Sequence, residues 1–75
     1  MNAERLVAMA NDIANFFAAE PDREIAVEGI RNHLRRFWEP RMRQQIIAHM
    51  QAHGSGDLSS LAAAAVASLA VEEKA

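Results

Sequence analysis

The side chains best suited to chemistry lie in one window, Arg31-Asn32-His33-Leu34-Arg35-Arg36-Phe37-Trp38-Glu39-Pro40-Arg41-Met42-Arg43. It holds five of the eight basic residues and the only tryptophan. The window carries +4 and the rest of the chain −6. Guanidinium groups bind carboxylates and phosphates through planar, paired hydrogen bonds. Arginine and tryptophan also dominate binding hot spots. The chemistry implied is recognition of an anionic, partly apolar surface, and the candidate partner-binding residues are Arg31, Arg35, Arg36, Trp38, Glu39, Pro40, Arg41 and Arg43. Arg35 and Arg36 suit the end of a helix, and Arg31 can pair with Glu28 or Glu24 on its own helix. Arg41 and Arg43 follow Pro40 in what reads as a first helical turn. There, positive charge opposes the helix dipole by roughly 0.3–1 kcal/mol each. A local rule broken without visible compensation points to a carboxylate or phosphate of another molecule. The competing account is neutralisation by Glu39 and other acids of this chain. Phe37 reads as core. Trp38 either joins the core or caps it and offers an edge to a partner.

Other chemistries find less support. His49 and His53 are four apart and share a helix face, a spacing that can hold a metal. The residues between them are Met50, Gln51 and Ala52, without the glutamate of the zinc-protease helix, so ordinary helix-surface histidines are expected. There is no cysteine, which excludes disulfides, iron–sulfur ligation and thiolate zinc sites. No serine–histidine–acid motif and no Gly-rich phosphate loop is present, so no catalytic residue is expected. The arginine cluster invites a DNA-binding reading, but a net charge of −2 and a pI near 5.8 argue against it.

Helical spacing dominates the elements that must carry this corner. Leu6, Met9, Ile13, Phe16 and Phe17 form one apolar stripe, with Asn2 as its N-cap and Pro21 closing the segment. Ile25, Val27, Ile30, Leu34, Phe37 and Trp38 form a second, begun by Asp22 and Glu24. Pro40 opens a third helix bearing Met42, Ile46, Ile47 and Met50, and Gly54 closes it. A Gly54-Ser55-Gly56 linker leads to an Ala-rich fourth segment with Leu58, Leu61, Ala65 and Leu69. Its thin stripe implies either close packing in a groove or loose attachment. The expected fold is all-α, a small three- to four-helix bundle or array. A helical core is expected over 1–54, and a linker, C-terminal helix and frayed acidic tail (Glu72-Glu73-Lys74-Ala75) over 55–75.

Of the apolar residues sixteen are alanine, leaving twenty-two larger side chains. A core of that size rarely supplies more than about 3–5 kcal/mol, so a partner is the expected source of further stability. No apolar run approaches the ~20 residues of a membrane span. The N-terminus lacks the pattern of a signal peptide, and a cytoplasmic location is expected.

Two blocks carry a family resemblance. One is Leu6-Val7-Ala8-Met9-Ala10-Asn11-Asp12-Ile13-Ala14-Asn15-Phe16-Phe17. The other is Glu28-Gly29-Ile30-Arg31-Asn32-His33-Leu34-Arg35-Arg36-Phe37-Trp38-Glu39-Pro40-Arg41-Met42-Arg43, with Pro21-Asp22-Arg23 between them. Together they make most of residues 6–50 resemble the delta subunit of soluble, multi-subunit NAD-dependent formate dehydrogenases. The run from Phe37 to Arg43 is the specific part. After Gly54 the likeness falls to Leu58-Ser59, so nothing is carried onto Ala62–Ala65 or the acidic tail. The resemblance implies a complex that oxidises formate to carbon dioxide and reduces NAD. Its catalytic alpha subunit would hold a molybdenum or tungsten bis-pterin guanine dinucleotide and iron–sulfur clusters, with FMN and the NAD site on other subunits. It implies that the delta subunit is a cofactor-free accessory protein that binds the alpha subunit and supports its assembly or stability. A sharper expectation is that Arg31, Arg35 or Arg43 meets phosphate of the pterin dinucleotide. The alternatives are a small DNA-binding module and a self-associating helical adaptor, and a weak homo-oligomer is compatible with the free chain.

Overall fold

The computed structural model describes residues 2–74, apart from the Lys74 side chain, and the chain there is four helices: α1 (Ala3–Phe17), α2 (Arg23–Phe37), α3 (Pro40–His53) and α4 (Ser60–Lys74). The starts follow the sequence signals. Asn2 Oδ1 accepts from the Arg5 N–H at 2.8 Å, and Asp22 Oδ1 accepts from the N–H groups of Glu24 and Ile25. These oxygens satisfy amide donors that a helix start leaves orphaned. Pro40 occupies the first turn of α3. Gly54 closes α3 at φ 76°, a backbone region that disfavours any side chain. Ser59, ahead of α4, accepts from the Ala62 N–H through its hydroxyl.

One core joins all four helices. Leu6, Ala10, Ile30, Leu34, Ile46, Val66 and Leu69 are fully buried, with Trp38 and Leu58 beside them. The buried line of α2 is Ala26, Ile30, Leu34 and Trp38, four residues apart at each step. Two expectations are corrected here. Phe37 is 67% exposed and Trp38 only 5%, so the tryptophan is core and the phenylalanine is surface. The reason is register: Trp38 continues the Ile30–Leu34 line, whereas Phe37 falls beside it. Phe16, expected on the buried stripe of α1, is 81% exposed. The buried face of α1 is Leu6, Val7, Ala10 and Ala14.

The fourth helix is a central element. Ala62, Ala65, Val66 and Leu69 are all fully buried. Alanines on that face allow α4 to approach closely, and this resolves the thin stripe in favour of close packing. Three polar pairs, Arg23–Ser60, Arg31–Ser68 and Arg35–Glu72, share a separation of 37 residues. A constant separation means that α2 and α4 run parallel in one register. The acidic tail was expected to fray, yet α4 continues through Glu72 and Glu73 to Lys74. Ala75, the last residue of that tail, lies outside the described residues. Among the described residues no helix is long and apolar enough to cross a membrane.

Candidate functional site: the arginine corner

The corner forms where α2 ends and α3 begins, with only Trp38 and Glu39 between them. α2 presents its last carbonyls there and α3 its first amides. Arg43 projects from the first turn of α3 back onto the end of α2. Its Nη1 donates to Trp38 O at 2.6 Å and to Arg35 O at 3.3 Å, and its Nε donates to Glu73 Oε2 at 2.7 Å. The Arg43 side chain is only 16% exposed. The expectation that Arg43 lacks a partner in its own chain is therefore corrected. It pairs with an acid of α4 and serves the negative end of α2 while sitting unfavourably at the positive end of α3. The signal that reveals this, Glu72-Glu73, was read as a frayed end.

Arg31 and Arg35 are engaged by the same turn of α4. Glu72 Oε2 lies 2.7 Å from Arg31 Nε, and Glu72 Oε1 accepts from Arg35 Nη1 at 2.6 Å. The Nε–H of Arg31 is not aimed for a hydrogen bond, so that contact is an ion pair alone. Arg31 also donates from Nη1 to Ser68 Oγ at 2.9 Å. Its contact with Glu28, the partner expected from sequence, is longer at 3.9 Å. One carboxylate thus bridges two arginines on successive turns of α2.

What remains is small. Arg36 and Arg41 are exposed, and neither has an acidic partner within ion-pair distance among the described residues. Arg36 instead lies over the Phe37 ring, 5.7 Å from its centroid. Glu39 and Pro40 are exposed beside them. The Glu39 side chain makes no cap bond to α3, although its carbonyl accepts from the Met42 and Arg43 N–H groups. Of the eight candidate residues, Arg36, Glu39, Pro40 and Arg41 are exposed and have no ion pair among the described residues. Arg31, Arg35 and Arg43 are tied to α4, and Trp38 lies beneath. All three arginines considered for a pterin phosphate are the ones engaged by Glu72 and Glu73.

Two further features bear on what the molecule does. The His49 and His53 rings lie tilted at 45° with centroids 5.0 Å apart, and among the described residues no three His, Cys, Asp or Glu side chains come together as a metal site. Asn11 ties α1 to the loop before α4, donating to Asp57 O at 2.9 Å and accepting from the Ser59 N–H at 2.8 Å. That contact had no signal in the sequence, because it joins residues 48 apart.

These features define a small all-α protein whose guanidinium groups divide into an internal staple and an open pair. Compared with protein-family models, residues 5–66 match the NADH-dependent formate dehydrogenase delta subunit family, FdsD. The chain belongs to that family. No curated protein and no solved structure matches it.

Proposed function

We propose that this chain is a non-catalytic accessory subunit of a cytoplasmic NAD-dependent formate dehydrogenase. It binds the catalytic alpha subunit and supports the assembly or stability of that subunit with its bis-pterin guanine dinucleotide cofactor. The observation that carries this reading is the family match over residues 5–66. The open pair Arg36 and Arg41 supports it, since two exposed cations without an acid of their own suit a carboxylate-bearing surface. Arg36, Glu39, Pro40 and Arg41 make the contact. Arg31, Arg35, Trp38 and Arg43 contribute from behind, by fixing the angle between α2 and α3. Cofactors remain with the other subunits, and this chain acts by binding a folded partner and shifting its equilibrium toward the folded state.

The test is co-expression with the alpha subunit and affinity capture through that subunit, comparing wild type with Arg36→Glu/Arg41→Glu. Arg41 sits in the first turn of α3, where a glutamate is favoured by the dipole. At Arg36, in the last turn of α2, the dipole disfavours a glutamate, so the two effects oppose, and a thermal melt of the free double variant checks that it stays folded. Wild type should be recovered in stoichiometric amount and the double variant should be lost. Failure of wild type to co-purify would refute the accessory role. Equal capture of both would keep the role and remove the corner from the interface.

A further inference from the structure

The α1–α2 face next to the corner carries two phenylalanines that the core does not use, Phe16 and Phe37, and a third, Phe17, that packs partly against it. Phe16 is 81% exposed and packs edge-on against Phe17 with centroids 5.4 Å apart. Phe17 lies across α2 at Gly29: a Cβ built on Gly29 would stand 2.5 Å from its ring. From Gly29, successive steps of four residues reach His33 and then Phe37, which share one side of the helix. The His33 and Phe37 rings are 4.8 Å apart. Arg36 then closes the line over Phe37. A strip of aromatic rings thus runs from the end of α1 to the arginine corner, exposed at both ends. The missing side chain at Gly29 allows the two helices to hold it.

We infer that this strip, Phe16–Phe17–His33–Phe37 with Arg36 and Arg41 at its rim, is the main docking surface of the chain, and that its occupant is an apolar segment of the alpha subunit flanked by carboxylates. The inference rests on the accessory-subunit reading and names the surface and the partner chemistry for it. Charge selects the occupant. Arg36, over the Phe37 ring, and Arg41, in the first turn of α3, lack an internal acid, whereas their neighbours Arg31, Arg35 and Arg43 are neutralised within the chain. An apolar segment carrying acids complements Phe37 and these two guanidinium groups together. A second copy centred on Phe37 would instead bring four such cations against only the two exposed Glu39 carboxylates, a net positive seam that like-charge repulsion opposes. The apolar rings supply the area and the arginines the register, the usual division between the centre and the rim of an interface.

The test uses the full-length chain co-expressed with the alpha subunit and captured through it. Dissociation is timed after addition of excess unlabelled wild-type chain. Phe16→Ser/Phe37→Ser is compared with Val71→Ser, which removes a similarly exposed apolar side chain from α4 that is not a member of the strip. The strip variant should dissociate at least tenfold faster than wild type, and Val71→Ser at the wild-type rate. Thermal melts of each free chain should match, because all three side chains are exposed. Wild-type dissociation by Phe16→Ser/Phe37→Ser, with capture still lost in Arg36→Glu/Arg41→Glu, would overturn the strip and leave the accessory role intact. No capture of wild type would overturn both. A free wild-type chain that sediments as a dimer, converted to monomer by the strip variant while alpha-subunit capture persists, would assign the strip to a second copy and overturn the inference.

Discussion

At the scale of single residues, adjacent arginines do different work. Arg43 makes two charge-assisted bonds to main-chain oxygens and one to Glu73, largely out of solvent. Bonds to charged groups contribute about 1.5–3 kcal/mol. Arg43→Met should therefore destabilise the chain by about 2 kcal/mol, whereas Arg41→Met, on an exposed side chain, should stay within about 0.5 kcal/mol. Urea unfolding of the two variants distinguishes them, and equal midpoints would mean that Arg43 contributes no staple. Gly29 allows a sharper experiment. In an ordinary helix interior, Gly→Ala stabilises by about 1 kcal/mol. Here the new methyl meets the Phe17 ring at 2.5 Å, so the ring must leave its seat. Gly29→Ala should lower the melting temperature in the wild-type background and raise it in a Phe17→Ala background. A stabilising effect in both would show that the ring moves aside without loss.

At the scale of elements, the last turn of α4 holds the ends of α2 and α3 in place. Glu72 and Glu73 reach three arginines on two helices. Replacing both by glutamine should cost about 1–2 kcal/mol at low salt, and much less at about 1 M salt, where the screening length falls to about 3 Å. Denaturant curves at the two ionic strengths check this, and a loss independent of salt would point to packing instead of charge. Ala65 is fully buried on the face of α4 that joins the core. Ala65→Leu should destabilise by about 1–3 kcal/mol through overpacking. The sequence made much of this architecture legible. Helix starts at Asn2, Asp22 and Pro40 and the stop at Gly54 were marked by local chemistry, which acts within a few residues. Phe16 and Phe37 were misassigned, and Trp38 left open between core and edge, because an apolar stripe gives the period of a helix and not the edge of its buried face. The role of Glu72 and Glu73 was invisible for another reason: it depends on the parallel register of α2 and α4, which no local signal encodes. The arginine cluster was found from charge density alone, but only packing separates its internal members from its open ones.

At the scale of the whole molecule, stability and function are one problem. The chain is net −2 and buries a core rich in alanine. Domains of this size hold only a few kcal/mol in reserve. It nevertheless leaves Phe16 and Phe37 largely in water, and Arg36 and Arg41 exposed without an internal acid. For a formate dehydrogenase delta subunit, covering these side chains with a partner removes apolar area from water and neutralises the cations in one step. Linkage makes the consequence quantitative. A chain that binds only the folded alpha subunit stabilises it by about 2.7 kcal/mol when its free concentration is a hundredfold above Kd, and the gain grows logarithmically beyond that. The melting temperature of the alpha subunit should rise with the logarithm of added chain, without saturating at stoichiometric binding. Arg36→Glu/Arg41→Glu should displace the whole curve to higher concentration while leaving its slope unchanged. Scanning calorimetry over a series of chain concentrations reads both quantities. A shift that stops at one equivalent would indicate instead that the chain acts on a folding intermediate and departs from the assembled enzyme.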